Sequence, residues 1–510
     1  MIRTRVSIIL GGLLAIGYLI LLNPGPSFSG TVALPQTGQT TCYDIDGNEI
    51  PCQGTGQDGD IQAGVAWPEP RFTDNGNGTV TDNLTGLMWL KDANCFGAMT
   101  WQEALNKVAD LNANPENYTC GGYTVQYNDW VLPNINQLES LLNAGVSEPC
   151  TWLNGKGFIN VQLENYWTST TYGNFHDTGW CINMYNGLMN RTAKWSSRYV
   201  WPVRIETSGP AQVWQTGQTN CYDRNGDEVP CAGTGQDGDI QAGVAWPEPR
   251  FTDNEDGTVM DNLTGLMWLK DAGCFGSMTW QEALDRVADL NANPENYTCG
   301  GYNQLYDDWR LPNRKEIHSL THFGAYDPAI QDTSPFVNVE SLPYWSSSTL
   351  KMNTSYAWRL NMTIGSVSHD DKWDTFPLWP VRAGDTPVPV TVDVKANGSD
   401  GPLLVHPGEP VNISVHLNPG HMNGVEADWF FGLVSSYGTF PLLFFEAPLS
   451  GIGPTTLINT AWPVGWYIFL FALDDVPGGA FEPEWYDLLI LASWPETGPA
   501  ERAPDVDTAP

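Results

Sequence analysis

The sequence predicts two tandem α+β domains followed by an all-β domain, and three observations carry that reading. A long unit recurs, since Gly54 to Asn75 (GTGQDGDIQAGVAWPEPRFTDN) returns unchanged at Gly233 to Asn254. Each copy of the unit combines a capped amphipathic helix with short aromatic strand-like runs. Beyond residue 387 the texture changes: Val411, Ile413, Val415 and Leu417 alternate with Asn412, Ser414, His416 and Asn418, the period of a half-buried strand.

The duplication continues through most of the unit. Asp82 to Ala93 recurs at Asp261 to Ala272, and Ala109 to Tyr123 recurs at Ala288 to Tyr302. Farther on, Trp167, Trp180, Trp195, Trp201 and Arg204 meet Trp345, Trp358, Trp373, Trp379 and Arg382. Residues 31–206 and 215–383 are therefore read as two domains, each long enough to bury a core of its own. The segment 387–495 holds several strand-like runs separated by Gly, Pro and Asn, among them Gly465 to Leu473, apolar on both faces as a central strand would be. It reads as an immunoglobulin-like β-sandwich. Residues 496–510 read as a disordered tail.

Within the first copy, Phe72 to Asp82 places turn residues between two strand-like runs and predicts a hairpin. Thr100-x-x-Glu103 opens a helix with Trp101, Ala104, Leu105, Val108 and Leu111 on one face. A second helix is expected after Pro133, capped by Asn134 with Gln137 three residues on and stopped at Gly145. Aromatic strands follow around Tyr166-Trp167, Gly179 to Tyr185 and Tyr199 to Arg204.

Residues 1–30 carry Arg3 and Arg5, an apolar run from Val6 to Leu22, and small residues near Ser27 and Ser29, the order of a signal peptide or N-terminal anchor. The rest is then expected outside the cytoplasm, in an envelope space or at the cell surface. Cysteine usage agrees. Cys42, Cys52, Cys95 and Cys120 recur as Cys221, Cys231, Cys274 and Cys299, while Cys150 and Cys181 occur only in the first copy. Because the extra two appear together, they are expected to pair. Four shared cysteines allow three connectivities; the favoured one joins Cys42 to Cys52 across a tight turn and Cys95 to Cys120 around a helix. All ten cysteines would then be oxidised.

The run FTDNGNGTVTDNLTGLMWLKDA, the WxLPN motif at Trp130 and Trp309, the YW[TS]S motif at Tyr166 and Tyr344, and the closing WPVR at Trp201 and Trp379 resemble the Lcl C-terminal domain family. This is the C-terminal domain of a bacterial collagen-like adhesin. The resemblance implies a C-type-lectin-like fold and, for the named member, adhesion to sulfated polysaccharide. The present chain lacks collagen repeats and the Glu-Pro-Asn and Trp-Asn-Asp signatures of calcium-dependent sugar-binding lectins.

Charge narrows the partners. With 58 acidic and 23 basic residues the formal charge is -35, which repels nucleic acid and anionic lipid. A membrane would be met only through the N-terminal segment. Gly54-x-Gly56-x-x-Gly59 follows a cysteine loop instead of joining a strand to a helix, so it is not a dinucleotide fingerprint. No His recurs between copies, no CxxC, GxSxG or HExxH occurs, and no spacing singles out a carboxylate pair. The expectation is a non-enzymatic binding or adhesion protein directed at an extracellular glycan or another surface ligand. Two other readings are an envelope or matrix assembly protein and a carboxylate-dependent hydrolase.

Two sets of candidate residues follow. Asp44, Asp46, Asn48 and Glu49, matched by Asp223, Asn225, Asp227 and Glu228, cluster oxygen-bearing side chains of the kind calcium favours, although no cofactor is required. The copies diverge after Tyr123 and Tyr302, and the ligand loops are sought there. They comprise Trp167, Asn174, His176, Asp177 and Trp180 in the first copy, and Trp345, Asn353, Tyr356, Trp358, His369 and Asp370 in the second. Trp67, Trp89, Trp101 and Trp130 are expected in the core.

Overall fold

A computed structural model describes residues 32–205, 209–383 and, in part, 391–493. The leader at 1–30 and the tail from 496 lie outside the described residues. Ser29–Gly384 forms one compact unit, and the strands beyond 391 belong to another.

Each copy begins with an arm. In the first it holds the two-residue strands β1 (Cys42–Tyr43) and β2 (Glu49–Ile50), which pair antiparallel, and the single turn α1 (Asp58–Ile61). The hairpin expected from the sequence follows as β3 (Phe72–Asp74) and β4 (Thr79–Asp82), with Phe72 opposite Asp82. β5 (Leu87–Leu90) extends the sheet, β6 (Ala98–Met99) begins a second one, and the capping box starts α2 (Trp101–Ala113). The five residues predicted for the apolar face of α2 are all buried. The next helix, α3 (Ile135–Glu139), is capped by Asn134, whose side chain accepts from the Gln137 N–H. It stops at Ser140, well before Gly145, and Leu141 and Leu142 are buried in the turn that follows. α4 (Pro149–Asn154), β7 (Asn165–Thr171), β8 (Thr178–Asn183), β9 (Met189–Ala193), β10 (Arg198–Tyr199) and β11 (Val203–Ile205) complete the copy.

The strands make one sheet in the order β11-β5-β4-β3 and another in the order β6-β10-β7-β8-β9. The closing WPVR motif locks the first sheet: Val203 pairs with Trp89, and the Trp201 indole N–H donates to the Leu90 carbonyl at 2.7 Å. The second copy repeats the first sheet and its lock, with Trp268, Trp379 and Leu269 in the same roles, while its second sheet is divided into a two-stranded and a three-stranded piece. Trp89, Trp101 and Trp130 are buried as expected, whereas Trp67 is half-buried over the Arg71 guanidinium.

The α+β class is thereby corrected. Among the described residues only α2 and its counterpart (Trp280–Ala292) are helices longer than six residues, and the strand residues, gathered in many small sheets, outnumber the helical ones. The architecture is mainly β, and neither the C-type-lectin-like nor the immunoglobulin-like assignment is retained. The physical reason is local: capping signals set where a helix starts but not how long it persists, and the segment after Asn134 turns away after five residues. Beyond 391, strands form a three-stranded sheet containing Pro410–Asn418 and a five-stranded sheet in which Gly465–Asp474 lies between two neighbours, Glu426–Ser435 and Trp485–Ser493.

Cys42 pairs with Cys52 and Cys95 with Cys120, as do their counterparts in the second copy. Cys150 and Cys181, expected as a fifth bridge, are free and buried. Trp167 stands opposite Cys181 and Tyr166 opposite Ile182, so alternation along β8 puts Cys181 on the Trp167 face. Its sulfur faces Asn165 Oδ1 and the Asn190 carbonyl. Cys150 instead lies on α4, where its N–H donates to the Met184 carbonyl at 2.8 Å. Burial pushes the Cys181 thiol up to about 12, so it stays protonated.

Candidate functional site: the seam between the copies

Each arm lies in the seam and docks on the other copy as well as its own. Thr37 O accepts from the Ala144 N–H of its own copy at 2.9 Å. The Gln39 side-chain amide, which can donate and accept at once, meets both backbone groups of Thr349 in the second copy, at 2.8 and 2.9 Å. Gln218 does the same to Thr171, also at 2.8 and 2.9 Å. One turn farther on, Asp58 accepts from Thr37 at 2.7 Å and from Ser348 of the other copy. Asp237 accepts from Thr216 at 2.7 Å and Thr170 at 2.6 Å. Burial drives each of these two carboxyls up to about 6, and the hydroxyl donors offset only part of that rise.

A buried lysine grips the tip of each arm. Lys372 Nζ sits 3.9 Å over the Trp280 ring and donates to the Asp44 carbonyl at 3.0 Å. Lys194 sits 3.9 Å over Trp101 and donates to the Tyr222 and Asp223 carbonyls at 3.1 and 3.2 Å. Burial brings both ammonium groups down to about 7.

At the centre of the seam, α3 faces its counterpart, Arg314–Ser319. Glu139 receives Lys315 Nζ at 2.7 Å and lies 3.5 Å from Arg314, all three side chains being buried. Burial alone would raise the Glu139 carboxyl, but Lys315, Arg314 and His318 outweigh it and hold it below the usual range. The equivalent contact on the other side of the pseudo-twofold joins His318 Nε2 to Asn136 Oδ1 at 3.0 Å, and burial takes His318 down to about 4.

The ligand loops expected from the sequence fall along this seam. Trp167, Trp180, Trp345 and Trp358 are at most 2 % exposed, so none offers a ring face to a ligand. Trp358 instead carries the Arg314 guanidinium at 3.9 Å. His176 stacks on Tyr222 of the second copy's arm at 3.7 Å. Asn174 and Asp177 are partly buried beside it, and Asp177 O accepts from the Lys194 N–H. In the second copy His369 lies edge-on to Tyr356 and Trp358, Asp370 pairs with Arg359, and Asn353 alone of this set is exposed.

The acidic turns cap the arms. Asp44 accepts from the Asn48 N–H and side-chain amide at 2.8 and 2.9 Å, and Asp223 accepts from the Asn225 and Asp227 N–H groups at 2.8 and 3.0 Å. Those carboxylate oxygens thus serve their own turns. Among the described residues no group of three or more His, Cys, Asp or Glu is arranged to hold a metal ion.

Two residues that did not enter the predicted site stand out on geometry. Trp195 and Trp373, directly after the gripping lysines, are 57 % and 59 % exposed, whereas every other tryptophan described in the tandem unit is buried or half-buried. Trp373 Nε1 lies 3.3 Å from Asp46 Oδ1, so the seam joins an exposed indole of one copy to the acidic turn of the other. The signal was available in the sequence as a tryptophan kept in both copies between turn residues. It could not be told apart there from the buried tryptophans that repeat in the same way.

Residues 78–204 and 257–382 each match a known family. That family is the Lcl C-terminal domain. The match agrees with two tandem copies, and the Lcl C-terminal domain points to an adhesin-like or surface protein family that is not a known enzyme family. No curated protein matches the chain. The arms, residues 32–66 and 211–245, precede the matched segments, so docking of the two copies rests partly on chain outside the matched span. Four disulfides are consistent with an oxidising, extracytoplasmic setting. Among the described residues no helix is long and apolar enough to cross a membrane.

Proposed function

We propose that the chain is an exported, non-enzymatic adhesin-like protein that holds an extracellular glycan on two exposed indoles, Trp195 and Trp373. The observation that carries this reading is their paired exposure in a unit whose other repeated tryptophans are buried or half-buried. An open indole face is a stacking surface for the C–H face of a sugar ring, and a neighbouring carboxylate such as Asp46 accepts from sugar hydroxyls. The Lcl C-terminal domains supply the adhesin-like context. Because the two copies share one compact unit, the two indoles are held at a fixed separation, and a repetitive surface is engaged by both at once with a gain in avidity.

The test is a glycan array probed with the intact protein and with Trp195→Ala, Trp373→Ala and the double variant. Each single variant is expected to lower retention on the best-bound glycan about tenfold or more, consistent with loss of one arm of a bivalent contact. The double variant is expected to abolish retention with its thermal midpoint unchanged. Undiminished binding by the double variant overturns the reading. Silence of the array together with self-association favours the assembly role instead.

A further inference from the structure

The two arm crevices of the tandem unit differ in whether a lysine fills them. In the first arm, Lys351 of the second copy reaches into the crevice, its Nζ bonded to the Tyr43 hydroxyl and 3.4 Å from Thr41 Oγ1. The ammonium also sits 4.9 Å from the Tyr43 ring centroid, and Tyr43 is only 3 % exposed beneath it. At the pseudo-equivalent place the lysine is replaced by Gly173, while the cradle persists: Tyr222 stands for Tyr43 and Asn220 for Thr41. Here the crevice is open. Gly173, His176, Asn220, Tyr222 and His322 line a cavity of about 80 Å³, and Tyr222 is only partly buried. That volume holds a few water-sized groups.

We propose that this crevice binds a primary alkylammonium, the group that Lys351 presents to the sister crevice from within the chain. The cradle offers as acceptors the Tyr222 hydroxyl oxygen, to which the Asn220 side-chain N–H donates at 3.5 Å, and the Asn220 side-chain oxygen. Burial holds His322 down to about 4, so it stays neutral near pH 7 and does not repel a cation. The formal charge of -35 draws cations to the protein as a whole. Gly173 has ordinary backbone angles, so its conformation does not require glycine, although a Cβ there would stand 3.1 and 3.2 Å from the Ala325 and Phe323 carbonyl oxygens. The inference does not depend on what Trp195 and Trp373 hold.

The probe is n-butylammonium, titrated into the intact protein at low salt and followed by ligand-observed NMR, with 1-butanol as the neutral control. Saturable binding of the amine, at least tenfold tighter than that of the alcohol, is expected. Gly173→Lys, which fills the crevice as Lys351 fills its sister, is expected to remove it. A side chain at Gly173 meets the Ala325 carbonyl oxygen at 3.1 Å, so Tyr222→Phe serves as a second variant that keeps the stack with His176 and is expected to weaken binding severalfold. Lys351→Gly opens the sister crevice and is expected to double the bound amine. Binding of N-acetyl-lysine-methylamide as well as the free amine identifies lysyl side chains as the source; binding of n-butylammonium alone identifies small free amines. No saturable binding, equal binding of 1-butanol, or binding unaffected by both Gly173→Lys and Tyr222→Phe overturns the proposal.

Discussion

The arms and the helix pair at the seam centre have fared differently since the unit was duplicated. The arms are close to identical in chemistry: Gln39 and Gln218, Asp58 and Asp237, and Lys372 and Lys194 make the same contacts on both sides. The facing helices are not alike. Ile135, Asn136 and Glu139 of one stand where the other has Arg314, Lys315 and His318. At the periphery each half needs only a copy of the same partner. At the centre, where water is excluded, a carboxylate on one side answers two cations on the other. Two first copies facing each other would bring two Glu139 carboxylates into the seam with no cation, and two second copies would bury Lys315 and Arg314 with no anion. The difference teaches that buried charge makes the two copies suit each other better than either suits itself.

The strongest way to break this comparison is Glu139→Ala. It leaves Lys315 and Arg314 buried without their anion, and breaking such a pair costs about 3–5 kcal/mol. Chemical denaturation should show that loss, and a change below about 1 kcal/mol would mean the cations find water instead.

The arm carboxyls offer a pH test. Folded Asp58 keeps its proton up to about pH 6, whereas the unfolded group releases it near 3.8. Between those values the folded state binds more protons, so this group's contribution to stability is complete at low pH and is lost as pH rises through 6. His318 and His322, both held down to about 4, act in the opposite sense over much of the same range, so the raw pH profile mixes the two effects. Asp58→Asn isolates the carboxyl. The variant should match the parent at pH 4 and exceed it at pH 8 by on the order of 2–3 kcal/mol. Asp237→Asn should behave alike, and a difference between them would show that the arms are less equivalent than their contacts imply.

The gripping lysines sharpen the same point. Lys194→Met and Lys372→Met keep the contact with the indole beneath but lose the bonds to the arm carbonyls. Each should cost about 1–2 kcal/mol in thermal or chemical unfolding, and by nearly equal amounts. The smallest effect is expected for Cys150→Ala, since Ala329 takes that place in the second copy and, like Cys150, bonds its N–H to the carbonyl of a following methionine. About 1 kcal/mol or less should be lost. Thiol labelling of the unfolded, unreduced protein should count two free cysteines; a count of zero would restore the fifth bridge.

The duplication, the four shared disulfides, the Phe72–Asp82 hairpin and the helix at Trp101 were legible in the sequence, because each is written in neighbouring residues: a repeat, a turn, a capping box. The class was not. Helix signals at Thr100 and Asn134 look alike on paper, yet one helix runs thirteen residues and the other five. The site residues were divided by the same limit. His176 was sought as a ligand residue and Trp195 read only as a repeated tryptophan, and only the folded seam puts the first against Tyr222 and leaves the second in water. Local sequence determined the elements and the cysteine partners that span a single turn or helix. The tertiary structure decided which copy each arm grips, which charges meet out of water and which rings stay open, because those contacts join residues up to about three hundred positions apart whose approach no short-range pattern records.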